Sequence, residues 1–267
     1  MPGLRKLIVT PGPWIQLFDS VGFEWNRYQL TIPHLPRELE GFRFLHLADV
    51  HCRPYWQSAY DDLIDGLNRH PPDLILFTGD VVDETMNPAK EIPIARRLFS
   101  SLPSKLGILG IRGNHDFLIR QASFVGTPLK FMDGQTIRLP FNGAQVEIVA
   151  TSGFMREDLP ADFVSTVPPK QPGVPRIVLS HYPDHIRKLE SLKPDVYLAG
   201  HTHGGQVCVP GGYPIIRHDS LPWQKCTGIH KHGDTWFLVS RGLGFSDIPI
   251  RLFCPAEVAE VELRASF

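Results

Sequence analysis

At 267 residues, with 42% hydrophobic and 21% charged side chains, the chain can bury a large core and is too apolar to remain disordered. A formal net charge of −1, with no dense Lys/Arg run, argues against the basic footprint that non-specific nucleic-acid binding requires. The four cysteines (Cys52, Cys208, Cys226, Cys254) form no CxxC pair and read as reduced thiols rather than a disulfide framework.

Residues 1–40 read as an arm distinct from a domain over 41–267. After Pro11-Gly12-Pro13, the residues Trp14, Leu17, Phe18, Val21 and Trp25 recur at helical spacing and give one apolar face. That predicts a helix or irregular arm packed on the domain. The alternative is peripheral membrane contact through residues 1–27 with interfacial tryptophans, against which stand Asp19, Glu24 and few basic residues. No stretch approaches the ~20 apolar residues that span a bilayer. Arg5 and Lys6 precede only Leu7-Ile8-Val9, too short for a signal-peptide core, so the expected location is cytoplasmic.

An edge strand is expected near 28–35, and from Gly41 strands and helices alternate. Strands are predicted at 42–49, 73–79 and 107–112, with helices near 58–69 and 89–101 between them. A hairpin follows over 134–140 and 144–151, with Asn142-Gly143 in its turn. Residues 153–175 form a proline-rich loop. Strand 176–180, a helix near 184–191 and strand 195–199 come next. A second loop-rich stretch, 204–233, carries Tyr213, Arg217, Trp223 and Lys225, and strands 235–240 and 257–264 close the chain. The two long loops are the candidates for substrate selection.

Five short apolar runs end in Asp, Asn or His: Phe44 to His51, Leu74 to Asp83, Ile111 to Asp116, Ile177 to His181 and Val196 to His203. Ligands of open α/β sheets collect outside the carboxyl ends of strands, where these endings fall. Asp49 and His51, two apart on a strand, share a face, as do His201 and His203. Carboxylate and neutral imidazole suit borderline cations such as zinc, iron or manganese. Asp80 can bridge two of them, and Asn114 adds an oxygen without charge. Asp83 and Asp116 could instead cap the following helices. Arg53, Tyr55 and Trp56 could line the cleft, and Arg241 could contact phosphate or pair with a carboxylate. His46 and Cys52 point away by strand alternation. Asp61, Asp62 and Asp65 face water, and His230-Lys231-His232 reads as a surface loop.

Together, Asp49-x-His51, Gly79-Asp80-x-x-Asp83, Gly113-Asn114-His115-Asp116, His181 and Gly200-His201-Thr202-His203 resemble the calcineurin-like metallophosphoesterases, in family order. Leu35-Pro36, Gly204-Gly205-Gln206, Ser240 to Gly244 and Pro249-Ile250-Arg251 look like the bacterial phosphodiesterase-like branch. Some of its members are membrane-associated and act on UDP-diacylglucosamine. The resemblance implies a four-layer α/β/β/α sandwich with two mixed β-sheets; the alternation of elements alone would also allow a doubly wound sheet. It further implies two metal ions (Mn, Fe or Zn). Asp49, His51, Asp80 and His203 would hold one, and Asp80, Asn114, His181 and His201 the other. His115 would sit over the phosphoryl group, oriented by Asp83, while a metal-bridging hydroxide attacks in line. The implied substrate is a phosphodiester or pyrophosphate, in a phosphorylated small molecule or a nucleotide-lipid, with no obligate protein partner. The rival readings are a UDP-lipid pyrophosphatase at the membrane surface, a nuclease, and a non-catalytic scaffold. The neutral charge disfavours the nuclease, and the complete ligand set disfavours the scaffold.

Overall fold

The computed structural model describes residues 1–83, 86–153, 159–215 and 219–266. Extended strands, not an α-helix, are what its first forty residues form. The strands β1 (Leu4–Thr10), β2 (Ile15–Leu17) and β3 (Glu24–Ile32) replace the helix read from Trp14 to Trp25. From Arg27 onward β3 alternates, with Tyr28, Leu30 and Ile32 buried. Trp25 does pack on a helix, but from a strand: its indole fills the space a Cβ on Gly66 would need.

Next in the chain are β4 (Arg43–Leu47), α1 (Ser58–Arg69), β5 (Leu74–Phe77), α2 (Ile92–Ser101), β6 (Ile108–Gly110) and β7 (Leu129–Phe131). The hairpin of β8 (Thr136–Phe141) and β9 (Ala144–Ala150) turns at Asn142 (φ 49°) and Gly143 (φ 91°), the two left-handed positions a tight hairpin needs. Then follow α3 (Phe163–Thr166), β10 (Arg176–Leu179), α4 (Ile186–Leu189), β11 (Val196–Ala199), β12 (Cys208–Val209) and β13 (Tyr213–Pro214). The chain ends with β14 (Gly228–His232), β15 (Thr235–Val239), β16 (Ile250–Leu252) and β17 (Glu257–Ala265). His230-Lys231-His232 is therefore not a loop. It lies in β14, antiparallel to β15, and His230 Nε2 donates to Thr227 O at 2.8 Å.

One sheet has the order β1-β3-β17-β4-β5-β6-β7 and the other β14-β15-β11-β10-β9-β8. Both are mixed. β17 runs parallel to β3 and antiparallel to β4, so β1 and β3 belong to the central sheet rather than to an arm outside it. Phe44, Leu74 and Leu76 meet Ile177, Leu179 and Leu198 in one apolar cluster between the sheets. Leu45, Ile75 and Phe77 face the other way, against Leu63 of α1 and Leu98 of α2. Val178, Tyr197 and Phe237 face Phe163 and Ile186 across the second sheet. These contacts define four layers, helices outside and sheets inside. Central strands buried on both faces need apolar residues throughout, which is why they read as runs without alternation.

β2 and β16 make a separate two-stranded ribbon, with Leu17 opposite Ile250 and Ile15 opposite Leu252. Its inner face buries Gln16 and Arg251. Among the described residues, no helix is long and apolar enough to cross a membrane.

Candidate metal centre

The seven proposed ligands follow the carboxyl ends of β4, β5, β6, β10 and β11, from both sheets. The pairs Asp49/His51 and His201/His203 are not on strands, because β4 ends at Leu47 and β11 at Ala199. Their convergence comes from left-handed backbone: φ is 47° at Asp49, 42° at His51, 60° at Asp80, 68° at His201 and 49° at His203. Such conformations cost non-glycine residues about 1–2 kcal/mol each and persist only where surrounding bonds impose them. Here Asp49 N donates to Gly79 O at 2.9 Å, His51 N to Asp80 O at 3.1 Å, and His201 N to Asp49 Oδ1 at 2.9 Å. Gly113 is required for space rather than for φ, since a Cβ there would collide with Asp80 Oδ1.

The donor atoms face one another. His203 Nε2 lies 3.0 Å from His51 Nε2, and Asn114 Oδ1 lies 2.9 Å from His181 Nε2 and 3.1 Å from His201 Nδ1. Asp80 Oδ2 is 3.4 Å from both His51 Nε2 and His181 Nε2. Ligating atoms of Asp49, His51 and His203 lie within 4.8 Å of one another, as do those of Asp49, Asp80 and His181. At His181 the outer nitrogen is held as a metal-binding histidine requires. His181 Nδ1 donates to Thr78 O at 2.8 Å, and His51 Nδ1 lies 3.5 Å from Asp83 Oδ1. This mixed oxygen and nitrogen set, buried except at the half-buried Asn114 and His201, fits a pair of borderline divalent cations.

Electrostatics agree. Burial alone would push His51 and His181 down, yet the neighbouring carboxylates raise them to about 10 and about 9. Burial raises Asp49 to about 6; it opposes ionisation of Asp80 too, but His181 and His51 hold that carboxyl well below its usual range. Without metal, the two protonated imidazoles supply the positive charge that the buried carboxylates demand. Those raised values stabilise the metal-free fold below the unfolded histidine value of about 6.5, and that contribution is lost as pH rises through about 9 to 10. A cation must displace the same protons, so its affinity rises with pH across this window. Calorimetric metal titration at pH 7, in buffers of differing ionisation enthalpy, is expected to show release of about two protons per chain. Release of none would contradict the assignment of these histidines.

The remaining candidates divide. His115 backbone N donates to Asp80 Oδ1 at 2.9 Å, and its Nδ1 donates to the backbone carbonyl of Asp83 at 3.0 Å. The Asp83 carboxylate does not hold His115; it faces His51 and takes Arg53 Nη2 at 3.0 Å. Arg53, Tyr55 and Trp56 are absent from the described cleft lining: Tyr55 donates to Phe18 O at 3.0 Å and Trp56 to Asp61 Oδ1 at 3.0 Å. Arg241 takes the carboxylate alternative, with Glu24 at 2.9 Å and Glu257 at 2.7 Å. Asp116 clamps two loops, accepting from Val81 N at 2.8 Å and Gly113 N at 2.9 Å. His46 is buried against Thr78 Oγ1 at 2.9 Å, and burial pushes it down to about 3.

Sequence reasoning missed two features. Arg251 is fully buried behind the centre, its Nη2 3.3 Å from His203 Nδ1 and 2.6 Å from the carbonyls of Arg241 and Gly244. The cleft, about 230 Å³, is walled opposite the donors by Gln206, Val207, Ser246, Asp247 and Ile248. Only the first two lie in a loop expected to select substrate. Of those loops, residues 154–158 and 216–218, Arg217 among them, lie outside the described residues, and Tyr213 stacks on Trp223 at 4.3 Å.

A family model described as calcineurin-like phosphoesterase matches residues 42–205. The metallophosphoesterase YkuE of Bacillus subtilis (strain 168) is 30% identical over 258 residues, covering 91% of this chain and 86% of that protein. The phosphodiesterase YaeI of Escherichia coli (strain K12) is 31% identical over 255 residues, covering 90% and 88%. A metallophosphoesterase of Helicobacter pylori (strain J99) is 27% identical over 244 residues, covering 88% of this chain and 62% of that one.

Proposed function

Since the chain belongs to the calcineurin-like phosphoesterase family and is a metal-dependent phosphoester hydrolase, we propose that it cleaves a phosphodiester or pyrophosphate with two cations. Asp49, His51, Asp80 and His203 hold the first, and Asp80, Asn114, His181 and His201 the second. The observation that carries this reading is Asp80, whose Oδ2 stands 3.4 Å from a histidine nitrogen of each set. When bound, the ions supply charge for the phosphoryl oxygens and an activated water as nucleophile. Asn114 contributes an oxygen without a negative charge, which keeps the floor attractive to an anion. With Nδ1–H tied to Asp83 O, the doubly protonated form of His115 keeps a second N–H, at Nε2, for the substrate, where it hydrogen-bonds a phosphoryl oxygen and gives that proton to the departing alkoxide, leaving the ring neutral.

Metal analysis of the purified protein, with parallel assays on bis(p-nitrophenyl) phosphate, p-nitrophenyl phosphate and a UDP-lipid, tests this. Two ions per chain and turnover of at least one ester are expected. A fully metallated preparation inert toward all of them would end the reading.

A second reading, an amphiphilic substrate met at a bilayer surface, is favoured by the β2–β16 ribbon. Trp14, Ile15, Leu17 and Phe18 are 58%, 58%, 52% and 70% exposed, and Ile248, at the cleft wall, is 55% exposed. An apolar rim running from a strand edge to the cleft is uncommon on a surface that meets only water. Residues 1–27 would then touch lipid through this edge rather than through a helix. Anionic phospholipid vesicles should co-sediment the full chain, with Trp14→Ser plus Phe18→Ser weakening binding about tenfold or more. Equal sedimentation of both proteins would dismiss the membrane.

A further inference from the structure

The outer wall of the cleft carries a charge of unexpected sign for a site that receives phosphate. Among the described residues, its lining contains no lysine and no arginine, and the cationic candidates nearby are committed to Asp83, Glu24 and Glu257. The one acidic residue of the wall opposite the proposed ligands is Asp247, which is exposed and has no ion-pair partner among the described residues. Among the described residues its carboxylate meets only the Ser246 hydroxyl, which donates to Oδ2 at 3.5 Å.

The position of that carboxylate is built rather than incidental. Gln206 follows the ligand His203 on the same turn, with φ 51°. Its Oε1 accepts from Ser246 N at 2.9 Å, while its Nε2 donates to Ser246 O at 3.0 Å and to Ile248 O at 2.7 Å. Both neighbours of Asp247 are thereby tied to the turn that carries a metal ligand, and Asp247 itself is left-handed at φ 55°. One carboxamide thus fixes the backbone on either side of an acidic residue in the cleft wall.

A phosphomonoester carries a charge of about −1.5 to −2 at pH 7, whereas a diester carries one negative charge. A fixed carboxylate repels the first more than the second, and no cation on the described wall compensates. The flanking Val207 and Ile248 offer apolar contact to the second ester group that only a diester has. We infer that Asp247 is the specificity-determining residue of this cleft, selecting singly charged phosphodiesters and turning away doubly charged monoesters. The inference rests on the phosphohydrolase reading above.

Steady-state kinetics of the metal-loaded enzyme on bis(p-nitrophenyl) phosphate and p-nitrophenyl phosphate decide it. The wild type is expected to favour the diester in kcat/KM. Asp247→Asn should raise the monoester-to-diester ratio about tenfold, mainly through a lower KM for the monoester. Asp247→Glu should keep the wild-type preference, and Gln206→Ala, which releases the clamp, should shift the ratio less but in the same direction. Because the carboxylate is exposed, raising ionic strength from about 0.02 to about 0.5 M should erode the difference between Asp247→Asn and wild type. A ratio in Asp247→Asn within twofold of wild type, a shift indifferent to salt, or a wild type that prefers the monoester would overturn the assignment. In each of these cases the enzyme still hydrolyses phosphate esters. Failure of the wild type to hydrolyse either ester would instead remove the phosphohydrolase reading, and this inference with it.

Discussion

Asp80→Ala should lower phosphodiester turnover by at least about 10³-fold, since a bound ion's charge is worth several kcal/mol in the transition state and Asp80 stands between both donor sets. No other proposed ligand is common to the two sets, so no other single change should empty both positions together. Metal content should fall well below two ions per chain. Asp80→Asn separates charge from shape, because the amide oxygen can still accept from His115 N, as Oδ1 does at 2.9 Å. It should keep the fold and lose turnover nearly as fully. Elemental analysis beside the diester assay checks both variants. An Asp80→Ala protein with two tightly held ions would show that the carboxylate does not bridge them.

His115→Ala should give the opposite signature: two ions retained, and kcat reduced about 10² to 10⁴-fold. The ring touches Asp83 O and the edge of His51, at 4.6 Å between centroids, and belongs to neither proposed ligand set. If Nε2 protonates the leaving oxygen, the loss must grow with the basicity of that oxygen. It should be small for p-nitrophenyl esters and large for alkyl esters. A uniform loss across leaving groups would leave His115 as an electrostatic partner of the phosphoryl oxygens only. Wild-type rates with alkyl esters would remove it from the chemistry.

The central strands, such as Leu74–Phe77 and Val196–Ala199, were legible because they are apolar on both faces and stop at a chemically distinctive residue, whereas their division into two stacked sheets came only through the family resemblance. What stayed hidden was non-local. β3 joins the sheet by pairing with β17, whose partners Trp25 and Val258 are far apart in the chain, and nothing local announces such a pairing. A three-residue strand such as β2 is too short to show alternation, so the chance helical spacing of Trp14, Leu17 and Val21 prevailed. The proposed donors do converge, but not for the reason their spacing suggests. Asp49 and His51 converge through two left-handed residues beyond the strand, not through the pleat. Backbone roles leave no trace in residue identity, which is why the sequence could point to Asp83 beside His115 but not to its carbonyl as the contacting group. Arg241 likewise could not be assigned until Glu24 and Glu257 were seen beside it. The wall at Ser246, Asp247 and Ile248 reads in sequence like any turn; Gln206 gives it shape through three hydrogen bonds.

The donors issue from both sheets, and neither proposed ion takes its ligands from one alone. Asp49, His51, Asp80 and Asn114 hang from the sheet containing β4 and β5, whereas His181, His201 and His203 hang from the sheet containing β10 and β11. Elsewhere the two layers adhere mainly through oily contact, which resists separation but tolerates slippage. At this one end, each ion would act as a rivet through both plates, fixing their registry to within a coordination bond. Stripping the metals should therefore loosen the sandwich at its catalytic rim first, while the far edges keep their grip.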